Sequence, residues 1–299
     1  LLSEKLNIIH EVTYPEKYWR ILVGPWLLRF ISILYDRYKR IENVAKLYPG
    51  FYTYVLPEHK CKTVSYSYDD FLFGRNGKAR GDYYNLILFS LLIYEICPDN
   101  AIEKDLDFKL EINTIRRSCK RKIMNAIQKP MELSFNGPLI LSEMQHHLSI
   151  KDLIILKTRL GFNNVHILSP VEFKPQNGIT LENAYSVRLR AGLRLKSATD
   201  KFQSILFKIL PEALPMCYIE TYRYHKDKVN KFSPLKVLIS SVGWHYSEMF
   251  KFLAAESLLR GAELIEVQHG GGYGMRFNVP SEKLALEKDY FYSWGWNSS

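Results

Sequence analysis

The stretch KVLISSVGWHYSEMFKFLAAESLLRGAELIEVQHGGGYG, residues 236–274, decides the fold. An apolar run from Val237 to Ile239 ends in Ser240 and Ser241 and is broken at Gly243. A helical pattern follows, with Phe250, Leu253, Ala254, Ser257 and Leu258 on one side and a stop at Gly261. A second apolar run, Leu264 to Val267, leads into Gln268, His269 and three glycines. Strand, helix, strand and glycine turn is the unit of a parallel α/β sheet. Chemistry in such sheets gathers beyond the carboxyl ends of the strands, and that is where His269 falls in this topology.

His245 opens the helix after the first strand, on the same predicted rim. Glu248 follows three residues later, a spacing at which helical side chains meet. An imidazole at 269 would take a proton from an attacking hydroxyl or, once protonated, hold a developing anion. Strand alternation puts Glu266 and Gln268 on one face, away from Glu263, Ile265 and Val267. The carboxylate that orients the His269 ring is therefore sought elsewhere, with Glu143, Glu220 and Glu248 as candidates. GGGYG, residues 270–274, lacks the GxGxxG spacing and the following helix of a dinucleotide loop. It reads as a tight turn that presents His269 and exposes backbone N–H groups. Ser241 and His245 are not set in a GxSxG elbow, so a hydrolase stays only as an alternative.

The rest of the chain supplies helices and short strands. Residues 14–42 are helical in pattern, with Trp19, Leu22, Trp26, Phe30 and Ile33 on a shared face. Gly24 and Pro25 read as the start of one amphipathic helix, VGPWLLRFISILYDRYKRI. Strands are expected over 51–56, 62–68 and 163–170, and helices over 82–96, 111–128, 151–161 and 201–210, the last ended by Pro211. PLILS, residues 138–142, reads as a strand with Glu143 and His146 at its exit. That pair has the spacing of metal ligands or an acid–base couple, without a third ligand. Within the basic stretch 171–200, Arg188, Arg190 and Arg194 bunch together to meet an anionic substrate or water. The organisation read from this pattern is a largely helical region, 1–130, packed on a Rossmann-like α/β domain, 131–299.

Lys plus Arg is 41 against 31 for Asp plus Glu, a net charge of +10. An excess of that sign attracts phosphates, nucleic acid or anionic lipid headgroups. No zinc finger, RNA-binding aromatic pair or recognition helix accompanies the basic stripes, so nucleic acid is not expected. A non-catalytic anion or nucleic-acid binding module remains an alternative, and requires the basic groups at 116–122 and 188–196 to form one face. Cys61, Cys97, Cys119 and Cys217 have neither metal-ligand nor disulfide-framework spacing and read as thiols in a reducing compartment. No spacing calls for a metal or another cofactor. The longest apolar run, LILFSLLIYEI at 86–96, is shorter than the roughly 20 residues of a membrane-spanning helix. The ends, LLSEKLNIIHE and SWGWNSS, read as limits within a longer protein.

Four segments carry a resemblance: WRILVGPWLLRFISILYDRYKRI (19–41), WHYSE (244–248), QHGGGYG (268–274) and YFYSWGW (290–296). The last two, in that order and separation, are the most specific. In these the chain resembles a family of bacterial surface-polysaccharide transferases first described from spirochaetes. The resemblance implies the GT-B arrangement of two Rossmann-like domains, with this chain similar to the N-terminal part and the donor-nucleotide domain following the WGW segment. It implies that His269 is the catalytic base or an acceptor-site residue, supported by His245 and Glu248. Gly270 and Gly271 would shape the turn; read from the residues themselves, Gln268, Gly272 and Tyr273 join them, and Arg188, Arg190 and Arg194 are candidates to touch substrate. The implied donor is a nucleotide sugar, first of all a nonulosonate on CMP. The implied acceptor is a surface glycan or a lipid-linked glycan. The setting is cytoplasmic, with peripheral contact at the anionic inner face of the membrane.

Overall fold

The computed structural model describes residues 1–74, 79, 81–105, 139–142, 150–161, 164–168, 180–230, 232, 235–270, 272–273 and 288–295. The chain opens with α1 (Leu2–His10), α2 (Glu16–Leu47), β1 (Thr53–Val55), α3 (Tyr68–Phe73), α4 (Asp82–Ile96) and β2 (Ala101–Glu103). Next come β3 (Leu139–Ser142), α5 (Ile150–Leu160) and β4 (Val165–Leu168). Four helices follow: α6 (Leu181–Ala184), α7 (Val187–Ala191), α8 (Lys201–Ala213) and α9 (Tyr222–Val229). The chain then runs β5 (Val237–Ser240), α10 (Gly243–Tyr246), α11 (Glu248–Leu258), β6 (Glu263–Val267) and β7 (Tyr290–Tyr292).

Two compact units interleave along this order. One comprises Leu1–Thr13, Trp26–Thr114 and Asn177–Tyr222; the other comprises Tyr14–Pro25, Ile115–Gln176 and Arg223–Ser299. The first unit carries a parallel pair of short strands, β1 and β2, in register from Thr53 opposite Ala101. The second carries a five-stranded sheet in the order β4-β3-β5-β6-β7, and every neighbouring pair in it is parallel. Counted from β3, this is the 2-1-3-4-5 order of a doubly wound sheet, so strand addition reverses direction between β3 and β5. The fold is α/β, a parallel sheet flanked by helices, of the Rossmann-like kind expected. In the register Ser142 lies opposite Ser240, and Ser240 opposite Glu266. The carboxyl ends of β3, β5 and β6 therefore form one rim.

Parallel strands in such a sheet are covered on both faces and read as continuous apolar runs. Leu238, Leu264 and Ile265 are buried accordingly, and so are Phe250, Phe252, Leu253, Ala254 and Ala255 of α11. The turn from β5 into α10 needs glycine for space: a Cβ at Gly243 would lie 2.7 Å from Ser240 Oγ and 2.8 Å from Phe250 Cδ1. The turn from α11 into β6 needs it for conformation, with Gly261 at φ +79°.

Three expectations change. Helix α2 begins at Glu16 and holds Pro25 in its interior, so the helix does not start at the proline. The proline withholds the bond to the Ile21 carbonyl at a cost of about 3 kcal/mol. Burial of Tyr18, Trp19, Leu22, Trp26 and Phe30, each worth roughly 1.5–3 kcal/mol, outweighs it. Helix α8 likewise runs past Pro211 to Ala213. Residues 62–67 form no strand; the Ser65 and Tyr66 carbonyls accept from the Met216 and Cys217 N–H groups, 2.9 Å each, without a ladder. The helix expected over 111–128 lies outside the described residues.

His225 of α9 is buried, with the Tyr224 ring 5.0 Å away and the Phe252 ring 5.7 Å away, centroid to centroid. Burial first, and the Lys228 ammonium second, push its pKa from 6.5 down to about 3. The folded chain thus keeps this ring neutral where the unfolded chain protonates it. That share of stability is whole above pH 6.5 and is lost as pH falls toward 3. Between those values His225 contributes a slope of about 1.4 kcal/mol per pH unit. Urea melts at pH 7 and pH 5 will show a smaller loss for His225→Gln than for the native chain.

Candidate functional site

The site is built at the carboxyl rim of the sheet, where β5 and β6 deliver their following residues side by side. Ser240, the last residue of β5, wires the first turn. Its hydroxyl accepts from the Gly243 N–H at 2.8 Å and its carbonyl from the Trp244 indole N–H at 3.0 Å. This fixes α10 and with it His245, whose Nε2 lies 3.1 Å from Glu266 Oε1. Glu266 is carried on β6 and is wholly buried. Its second oxygen, Oε2, makes no hydrogen bond among the described residues. The Lys288 ammonium stands 4.0 Å from that oxygen and 4.9 Å above the Trp244 ring.

In the sequence Glu266 shares a strand face with Gln268 and is not among the carboxylates sought for His269. Its meaning lies with the other histidine. The readable signal was a lone acid inside an apolar strand that is covered on both faces, because an ionisable side chain there requires a partner.

Glu248 does not meet His245. Ser247 stands between α10 and α11 in extended geometry and caps α11 by accepting from the Phe250 N–H at 3.4 Å. The two residues therefore belong to different helices, and the i, i+3 relation of a single helix is lost. Glu248 instead accepts from Lys251 at 3.1 Å, both side chains fully buried, and Lys251 also reaches the Leu22 carbonyl at 3.5 Å.

His269 follows β6 directly and is exposed. Of the carboxylates considered for it, Glu248 is held by Lys251 and Glu220 by Arg190, while Glu143 lies outside the described residues. Gln268 is a brace. Its backbone N–H donates to the Tyr292 carbonyl at 2.8 Å, its side-chain Oε1 accepts from the Trp294 N–H at 2.8 Å, and its Nε2 donates to the Gly270 carbonyl at 2.7 Å. Tyr273 is buried and stacks on Phe291 at 5.5 Å. Gln268 and Tyr273 on one side and Phe291, Tyr292 and Trp294 on the other are thus tied together. Neither Gly270 nor Gly272 has a left-handed φ, and a Cβ at either would meet nothing within 4 Å among the described residues. Gly271 lies outside the described residues.

The basic bunch separates. Arg190 is buried in the first unit. Its Nε and Nη2 donate to both oxygens of Glu220 at 2.7 and 2.9 Å, and its Nη1 donates to the carbonyls of Pro211 at 2.7 Å and Leu214 at 2.9 Å. Arg188 and Arg194 are exposed, and Arg194 borders an open pocket of about 550 Å³ with Ser204 and Lys208. Among the described residues no cluster of His, Cys, Asp and Glu could hold a metal ion. No described helix is long and apolar enough to cross a membrane.

Removing Arg190 will unseat a buried carboxylate. Arg190→Met will cost about 3–5 kcal/mol in chemical denaturation. Gln268→Ala removes the side-chain bonds to Trp294 and Gly270 and will cost about 1–3 kcal/mol, with faster amide exchange at Trp294 as its local signature.

Residues 1–299, the whole chain, match the LIC12162 family transferase, and the chain belongs to that family. No curated protein and no solved structure matches it.

Proposed function

We propose that this member of the LIC12162 transferase family moves a glycosyl group from a nucleotide-activated donor to a hydroxyl of a surface-glycan acceptor, at the carboxyl rim of the second unit's sheet. The observation that carries the reading is the pair of imidazoles, His245 and His269, following neighbouring parallel strands, with a buried carboxylate on one of them. Transfer of this kind needs a base that removes the acceptor proton and a rim open to two substrates. The acceptor oxygen bonds to the anomeric carbon. The bond from that carbon to the donor phosphate oxygen breaks, and the nucleotide leaves with the electron pair.

The exposed His269 suits an acceptor-binding surface. The net charge of +10 suits a phosphate-bearing donor and an anionic lipid-linked acceptor. A nonulosonate on CMP is the first donor to test.

The competing readings lose support. A basic binding face that includes Arg190 conflicts with its burial against Glu220. A serine nucleophile after β5 conflicts with the complete burial of Ser240 and Ser241.

The test is a panel of nucleotide sugars with glycan and lipid-linked glycan acceptors, followed by mass spectrometry of products from the full chain. Transfer from one donor is expected. His269→Ala will raise the acceptor KM about tenfold while kcat stays within about threefold. A folded protein that transfers from no donor in the panel would overturn the reading, and unchanged kinetics for His269→Ala would remove that residue from the site.

A further inference from the structure

We infer that His245, rather than His269, is the general base of this transfer, and that Glu266 is the positioning residue that sets its tautomer. The base role rests on the reading above; the tautomer does not. A carboxylate 3.1 Å from Nε2 accepts a hydrogen bond from it, so Nε2 carries the hydrogen and Nδ1 carries the lone pair. The negative charge on Glu266 has its own counter-ion, since the Lys288 ammonium lies 4.0 Å from Oε2 and over the Trp244 ring. The imidazole therefore does not have to be cationic to balance a buried carboxylate. A general base must present a lone pair, and in this tautomer Nδ1 presents it.

Exposure points the same way. The His245 side chain is 10% exposed, against 0% for Glu266 and 5% for Lys288, so the ring is the most solvent-exposed member of the three. In the transfer the acceptor hydroxyl gives its proton to Nδ1 and keeps the electron pair for the new bond to the anomeric carbon. Glu266 takes no proton; its carboxylate stabilises the imidazolium that forms, and Oε2 is the oxygen with hydrogen-bonding capacity still unused. Nδ1 returns its proton to the departing phosphate or to water.

The experiment is nitrogen NMR of the full chain labelled at its histidines, with His245→Gln identifying the resonance. The expected result in the native protein is a single Nε2–H tautomer at residue 245. A Nδ1–H tautomer, or a freely averaging pair, would overturn the proposal whatever the activity. Glu266→Gln combined with Lys288→Met removes both buried charges together. It is expected to lose the single-tautomer signature and to lower kcat by about 10²- to 10⁴-fold with little change in KM. Should that double variant fail to fold, the native tautomer and the kinetics of His245→Gln decide alone. Native kcat in His245→Gln would overturn the base role. An Nε2–H tautomer in a chain that transfers no sugar would sustain the positioning by Glu266 and sink the base role together with the proposed function.

Discussion

Glu266 places a carboxylate inside a parallel sheet, fully buried on a strand with neighbours on both sides. Removing such a group from water costs several kcal/mol unless charge and hydrogen bonds replace the solvent. The layout of the rim answers that constraint. The β5 turn is pinned by Ser240 so that His245 arrives at Oε1. The chain returns toward β7 so that Lys288 arrives at Oε2, seated on the Trp244 ring that the same turn holds. Asp289, the next residue, ties that return to the start of β6. It exchanges hydrogen bonds with the Leu264 backbone and accepts from Lys17 at 2.7 Å. Burial alone would raise its pKa, but the Lys17 ammonium and the Leu264 N–H more than offset this and hold it below its ordinary value.

How much of this was legible in the sequence follows from range. The β5–α11–β6 unit was readable because apolar runs, a helical stripe and two glycines are local signals. The rim position of both histidines followed from the rule for parallel sheets, since adjacent strands in one βαβ unit share a rim. What could not be read was pairing. Glu266 lies 21 residues from His245, and helical spacing favoured the nearer acid, Glu248. One extended residue, Ser247, undid that inference by splitting the helix. The strand β7 and its union with the glycine turn were legible only as a recurring pair of motifs. The physical link, a glutamine side chain bonded to Trp294 across the sheet edge, is tertiary. Pro25 misled because the local rule for proline was outweighed by the aromatic side chains buried on either side of it.

Three buried ion pairs among the described residues allow a last distinction, between charges that hold the fold and charges available for chemistry. Arg190 and Glu220 saturate one another: two carboxylate oxygens meet two guanidinium nitrogens, and backbone carbonyls take the remaining nitrogen. Lys251 and Glu248 lie together at 3.1 Å, both sealed from solvent, with a backbone carbonyl as a further acceptor. These are the expected forms of structural pairs, in which desolvation is answered by short contacts and no polar capacity is left over. The Glu266 group differs in each respect. Its cation stands at 4.0 Å, one oxygen lacks a hydrogen bond, and its third member is an imidazole that touches the rim. Leaving a buried carboxylate oxygen unsatisfied is costly. An imidazole that must gain and then release a proton needs a partner of this kind, able to stabilise the charged ring without being locked to it. Among the described charges, the physical case for chemistry is therefore strongest where the fold is least satisfied.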